Sequence, residues 1–213
     1  MSAAGHGGRR RPDDFYETPA WCVHRLLEAL PFRGPRRWLE PCVGDGAILR
    51  AVHFYGLSPM WTAYEIRADA VPTSGGCVIK SLQTDDFLAA ARAGRDDPEH
   101  DLFGRPFDVV LTNPPYSLAM EFVEACLPLA REVAMLLRLN FLASEKRAAF
   151  MRADPPDVYV LPNRPSFTGG GTDATEYCWM VWPRERHRRE GMVRVLATTP
   201  EEERRAGAGR ESQ

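Results

Sequence analysis

Four consecutive residues, Asn113-Pro114-Pro115-Tyr116, combine two hydrogen-bond acceptors with a flat ring. The acceptors are the Asn113 side-chain oxygen and the Pro114 carbonyl, and Tyr116 offers a face on which a planar group can stack. Successive prolines stiffen the loop, so the acceptors are set before a substrate arrives. This arrangement suits an amino nitrogen whose lone pair is shared with a conjugated system and which is therefore a poor nucleophile. Two acceptors on its hydrogens aim the lone pair at an electrophile. The same residues also read as a proline turn with Asn as the turn former.

Positioning falls to the run before it. Phe107, Val109, Val110 and Leu111 predict a central strand buried on both faces. The prolines cannot donate to a sheet, so the chain leaves at the strand's carboxyl end, where open α/β sheets take ligands. Trp38-Leu39-Glu40-Pro41 predicts a second such strand, running into Cys42-Val43-Gly44-Asp45-Gly46 and a helix with Ile48, Ala51, Val52 and Tyr55 on its apolar face. Strand, Gly-x-Gly turn and helix bring backbone close to a ligand in front of a helix N-terminus, although Gly-x-Gly also occurs as a plain turn. Trp61 to Ile66 predicts a strand with Glu65 at its carboxyl end. Lying about 20 residues past the glycines, Glu65 is either a ribose-binding carboxylate or a solvated strand end. After the short strand Cys77–Lys80, Asp85 and Asp86 either cap a helix over 86–93 or meet the amine of an adenine ring, with Phe87 against its face.

Elsewhere, Thr18 as N-cap and Pro19 at the first helical position start a helix carrying Val23, Leu26, Leu27 and Leu30, which stops before Pro31. Residues 94–106 read as a surface loop, and a helix after Tyr116 carries Ala119, Phe122, Val123 and Cys126. A strand at Val133–Leu139, a helix at Ser144–Met151 and strands at Val158–Leu161 and Tyr177–Trp182 complete the pattern. The last two strands are joined by a long loop bearing Arg164, Phe167 and the triplet Gly169-Gly170-Gly171. The alternation predicts an α/β fold: a doubly wound, seven-stranded, mostly parallel sheet with an antiparallel last strand. Residues 15–184 are expected to form this single domain, 1–14 a disordered Gly- and Arg-rich arm, and 185–213 a charged, largely flexible extension. Met192–Leu196 is a candidate extra strand there, and the tail after Pro200 is expected to be disordered.

A chain of 213 residues with 44% hydrophobic and 26% charged residues is ordinary for a soluble domain. The N-terminus lacks the apolar core of a signal peptide, and no apolar run approaches the ~18 residues of a membrane span, so a cytoplasmic protein is expected. The five scattered cysteines include no C-x-x-C pair and the histidines no ligand spacing, so no metal is expected. The net charge of −2 gives no sign of a polyanion partner, although arginines cluster at 9–11 and 184–189.

Together these motifs resemble the class I S-adenosylmethionine-dependent methyltransferases, and within them the small phage and prophage type of DNA adenine-N6 methyltransferase. Tyr16-Glu17-Thr18-Pro19 is similar to their first cofactor motif, and Glu40-Pro41-Cys42-Val43-Gly44-Asp45-Gly46 to the D/E-P-x-x-G-x-G loop. Glu65 resembles the ribose carboxylate, Asp86-Phe87-Leu88 the adenine-ring motif, Asn113-Pro114-Pro115-Tyr116 the catalytic motif, and Arg164-Pro165-Ser166-Phe167 the substrate-side motif. The resemblance implies that S-adenosylmethionine is held by Tyr16, Thr18, Pro19, Glu40, Pro41, Gly44, Gly46, Glu65, Asp86, Phe87 and Asn113. It implies catalysis by Asn113, Pro114, Pro115 and Tyr116 on an adenine of DNA that stacks on Tyr116, with Arg164 and Phe167 as further substrate contacts. RNA adenine, cytosine N4, a protein glutamine amide and a catalytically silent binding module are the alternatives, and the oligomeric state is open. With 213 − 184 = 29 residues after Arg184, sequence specificity is expected to come from loops, from a second subunit, or to be slight.

Overall fold

The computed structural model describes residues 17–30, 37–70, 72–95, 97, 102–167, 174–184 and 190–206. Tyr16 and the N-terminal arm, the glycine triplet and residues 185–189 lie outside them. Eight strands form one sheet: β1 (Arg37–Glu40), β2 (Met60–Glu65), β3 (Val78–Thr84), β4 (Phe107–Thr112), β5 (Ala130–Arg138), β6 (Asp157–Val160), β7 (Tyr177–Pro183) and β8 (Val193–Val195). Their order is β3-β2-β1-β4-β5-β7-β6-β8. The strands from β3 to β5 are parallel, and β7 runs antiparallel to both β5 and β6.

The organising run lies where its composition places it. β4 sits between β1 and β5, and its Val109, Val110 and Leu111 have no solvent exposure. Period-two alternation sends successive residues to opposite faces. Trp38 and Val109 therefore join one core layer under α1 (Ala20–Ala29) and α2 (Ala47–Phe54). Leu39 and Val110 join the other, under α3 (Phe87–Gly94) and α4 (Ala119–Cys126). The result is a three-layer α/β/α domain whose parallel strands all end on one side, where Glu40, Glu65 and Asn113 emerge.

Three expectations need correcting. The sheet has eight strands, because Met192–Leu196 does form an edge: β8 pairs in parallel with β6, and Leu196 N donates to the Val160 carbonyl at 2.9 Å. Residues 207–213 lie outside the described ones, but 201–206, expected to be disordered, follow α5 (Ala148–Ala153) as one more helix, α6 (Glu201–Ala206). It is charged throughout and is held by an Arg25–Glu203 ion pair at 2.5 Å and by Arg25 Nε donating to Thr199 Oγ1 at 3.0 Å, which apolar periodicity cannot reveal. The N-cap of α1 is Pro19 rather than Thr18, because the Thr18 hydroxyl is engaged elsewhere, as described below. No helix among the described residues is long and apolar enough to cross a membrane.

Candidate active site

The loop after β1 is tied down from several sides. Val43 N donates to the Tyr64 carbonyl at 2.9 Å, Gly46 N to the Val43 carbonyl at 2.9 Å, and Thr73 N to the Asp45 carbonyl at 3.2 Å. Both glycines are needed for their backbone. Gly44 and Gly46 have φ of 54° and 85°, and a Cβ on Gly46 would stand 2.7 Å from the Thr73 carbonyl oxygen. Arg50, on α2, also donates to the Asp45 carbonyl and pairs with Glu17 at 2.8 Å. The loop is thus locked onto the segment that follows β2 and onto the chain entering α1.

Glu65 ends β2 and is 7% exposed. Its Oε2 accepts from Gly44 N at 2.8 Å, while Oε1 accepts from Arg67 N at 2.9 Å and Arg67 Nε at 3.0 Å. A carboxylate has about four lone-pair sites, so this one is mostly committed but not saturated. It is not a solvated strand end. Arg67, which sequence reasoning missed, also reaches Asp45 at 3.4 Å. The only signal for it was a basic residue two positions past a strand-end acid.

At the next strand end, Asp86 caps α3. Its Oδ1 accepts from Leu88 N at 2.9 Å and Ala89 N at 3.3 Å, and among the described residues no hydrogen bond falls on Oδ2. The capping alternative is therefore realised, and the same residue still lines the cavity described next. Phe87 is buried between Tyr64, at 5.4 Å and 72°, and Phe122, stacked at 5.7 Å and 15°.

These strand ends surround a cavity of about 450 Å³, within the range of small-molecule sites. Thr18, Pro41, Gly44, Glu65, Asp86, Phe87 and Asn113 all line it. Five carboxylates line it among the described residues, those of Glu17, Asp45, Glu65, Asp85 and Asp86; Glu17 is paired with Arg50 and Arg67 pairs with both Glu65 and Asp45, so the balance of the lining stays acidic. Its apolar lining comes from Ile48, Phe87, Leu88, Leu118 and Phe122. An acidic cavity with an apolar wall suits a flat ligand that carries positive charge.

Asn113 and Pro115 bring the tetrapeptide to this cavity. Asn113 Nδ2 donates to Thr18 Oγ1 at 3.0 Å, which commits the amide's NH₂ branch and orients its oxygen. The Pro115 carbonyl accepts from Leu118 N at 2.9 Å, closing a 3-10 turn at Tyr116–Leu118, whereas among the described residues no hydrogen bond falls on the Pro114 carbonyl. Tyr116 does not line the cavity. Its ring lies 5.6 Å from that of Tyr177, tilted by 45°, with the Arg138 guanidinium 4.9 Å above it. Burial and Tyr177 together raise its hydroxyl pKa well above the ordinary value, against the opposing pull of Arg138, so the phenol stays neutral.

Several expected site residues lie elsewhere. Glu40 is fully buried beneath the loop, where Oε1 accepts from Cys42 N at 3.3 Å. Burial raises its pKa well above the carboxylate range, with Thr112 hydrogen bonding in opposition. Pro19 and Gly46 shape α1 and α2 without lining the cavity. Phe167 is 8% exposed and meets Tyr177 edge-on at 5.1 Å and 71°, so it supports the aromatic group from behind rather than presenting a face. Arg164 is exposed and paired with Glu176 at 2.5 Å. Tyr177 and Arg138 were not anticipated, because they stand at facing ends of β7 and β5 and only antiparallel pairing brings them together.

No family model and no curated protein matches this sequence. Solved structures do share its fold. A protein described as a class I S-adenosylmethionine-dependent methyltransferase from Listeria monocytogenes superposes with a TM-score of 0.63 at 12% identity, over 91% of this chain and 68% of that one. The 23S rRNA methyltransferase ErmE gives 0.54 at 15% identity, over 83% and 72%. A modification subunit described for a type I restriction enzyme of Vibrio vulnificus YJ016 gives 0.59 at 16% identity, over 84% of this chain but only 45% of that one. The chain therefore spans less than half the length of the Vibrio subunit. At these identities the likeness is one of fold: a Rossmann-like, three-layer α/β architecture.

Proposed function

We propose that this protein transfers a methyl group from S-adenosylmethionine to the N6 amino group of adenine in DNA. The observation that carries the reading is the meeting of two features at one place. The Asn113 amide, oriented by Thr18, lines an acidic cavity of about 450 Å³ at the carboxyl ends of the strands, and the Pro114 carbonyl next to it in the chain accepts no hydrogen bond among the described residues. The fold, shared with enzymes described as methylating nucleic acids, supports it.

The cavity's residues fit the cofactor. Glu65 retains acceptor capacity for ribose hydroxyls, Asp86 Oδ2 is open to an adenine amine, and Phe87, Leu88 and Ile48 give the ring an apolar wall. The surplus of carboxylates suits a sulfonium and an ammonium. When bound, S-adenosylmethionine supplies an electrophilic methyl group whose bonding pair returns to sulfur on transfer. The protein's part is positioning. The target adenine leaves its stack, at about a few kcal/mol if it sits in a duplex. Asn113 and the Pro114 carbonyl accept its two amino hydrogens, so the lone pair that forms the new N–C bond points away from the ring plane. One of those hydrogens then leaves as a proton. No covalent enzyme intermediate is required, and burial raises the thiol pKa of Cys42, nearest the site, well above its ordinary value.

Replacing Asn113 with Ala tests the assignment. Turnover is expected to fall by about 10²-fold or more, the scale of losing a transition-state hydrogen-bond partner, while S-adenosylmethionine binding, followed by calorimetry, stays measurable. Near-normal transfer by Asn113→Ala would reject the mechanism.

A further inference from the structure

Arg138 is the last residue of β5, paired across the sheet with Tyr177 and three residues beyond Met135, the partner of Thr112 at the end of β4. Its guanidinium carbon lies 4.9 Å from the centroid of the Tyr116 ring, and its Nε donates to the Tyr177 hydroxyl at 3.4 Å. Other arginines on this side of the sheet are committed differently. Arg164 pairs with the Glu176 carboxylate, and Arg147 lies over Phe141 while donating to its carbonyl at 2.8 Å.

A guanidinium is planar, permanently charged and weakly hydrated. It can stack on a phenol ring and can equally fork onto two oxygens of a phosphodiester. Here it covers a face of the ring on which, by the family resemblance, the target adenine of the proposed reaction is expected to stack. A planar group thus occupies the place of a planar substrate. Seating a flipped nucleotide on that face requires the guanidinium to move, and the nucleotide brings its own anionic phosphates to the same spot.

We infer that Arg138 binds the phosphodiester next to the target adenine, and that in the free protein it shields the Tyr116 face that the adenine takes. This inference rests on the proposed methyl transfer to DNA. It makes a signed prediction: removing Arg138 weakens binding of an acceptor that carries phosphates but uncovers the ring for one that does not. A merely structural role for Arg138 would move both in the same direction.

The test compares wild type with Arg138→Gln and Arg138→Lys, each saturated with S-adenosylhomocysteine so that the cofactor cavity is filled. The probes are a short DNA duplex that the wild type methylates and free adenosine. Arg138→Gln is expected to bind the duplex about tenfold more weakly, with the slope of log affinity against log salt reduced by about one, and to bind adenosine at least as tightly as wild type. Arg138→Lys keeps the charge without the planar stack, so it should retain the salt slope and bind adenosine more tightly. An unchanged salt slope in Arg138→Gln, or parallel weakening toward both probes, overturns the inference while leaving the methyl-transfer reading intact. If Arg138→Gln fails to fold, unchanged adenosine affinity in Arg138→Lys overturns it instead. A wild-type protein that methylates no DNA at all rejects both readings.

Discussion

Thr18 and Asn113 form the pair on which the proposed chemistry turns at the scale of single residues. A threonine before the proline at the start of a helix would ordinarily cap it, yet this one is 5% exposed and its hydroxyl accepts from the Asn113 amide. Thr18→Val keeps the shape and removes the acceptor, so turnover should fall about tenfold or more, and Thr18→Ser should restore most of it; equal activity in both variants would show that the contact does not orient Asn113. Glu40 makes a separate prediction. Its folded pKa is raised, chiefly by burial, so the folded state holds its proton to higher pH than the unfolded chain does. Stability associated with this group is therefore present below the unfolded value of about 4.3 and is lost as pH rises through the raised folded value. Glu40→Gln keeps an acceptor for Cys42 N without the charge, and melting curves from pH 5 to 8 should show it gaining on wild type as pH rises. A constant difference across that range would count against a raised pKa.

Among the elements, the loop between β1 and α2 is the most constrained. A Cβ at Gly46 meets the Thr73 carbonyl at 2.7 Å, a backbone atom that cannot swing aside, and φ of 85° is unfavourable for any other residue. Gly46→Ala should therefore cost about 1–3 kcal/mol in stability and weaken S-adenosylmethionine binding, read by denaturation and calorimetry; an unchanged melt would mean that the loop is not locked. This loop, with Glu65 and Asn113, was legible in the sequence because each follows an apolar strand and is marked by a glycine, a proline or an acid, and Asp86 was legible as an acid before a helical apolar run. Arg67, Tyr177 and Arg138 were not legible, since their roles arise from pairing across the sheet and from ion pairs that leave no periodic trace. The placement of Phe167 was not legible for the same reason: its position suggested a substrate contact, and the structure sets its ring edge-on against Tyr177.

At the scale of the whole molecule, the region past Arg184 bears on how the domain is closed. Its polar composition suggested flexibility, but Leu196 is 6% exposed within the same core layer as Trp38 and Trp179, and Thr199 N donates to Asn163 Oδ1 at 2.7 Å. Leu196→Ala should then cost about 2–4 kcal/mol, whereas Val193→Ala, at a site 69% exposed, should change stability by less than about 0.5 kcal/mol. Equal urea midpoints for the two variants would mean that β8 and α6 do not stabilise the domain. The sheet that β8 extends carries both the cavity-lining strand ends and the Asn113 loop, whose relative placement the proposed reaction depends on. The most direct test of that account is to incubate the protein with methyl-labelled S-adenosylmethionine and separate pools of unmethylated duplex DNA, RNA and protein, then digest each and identify the labelled product. The account predicts N6-methyladenine in the DNA pool, absent with Asn113→Ala. Label confined to RNA or protein, or no label despite cofactor binding, would contradict it.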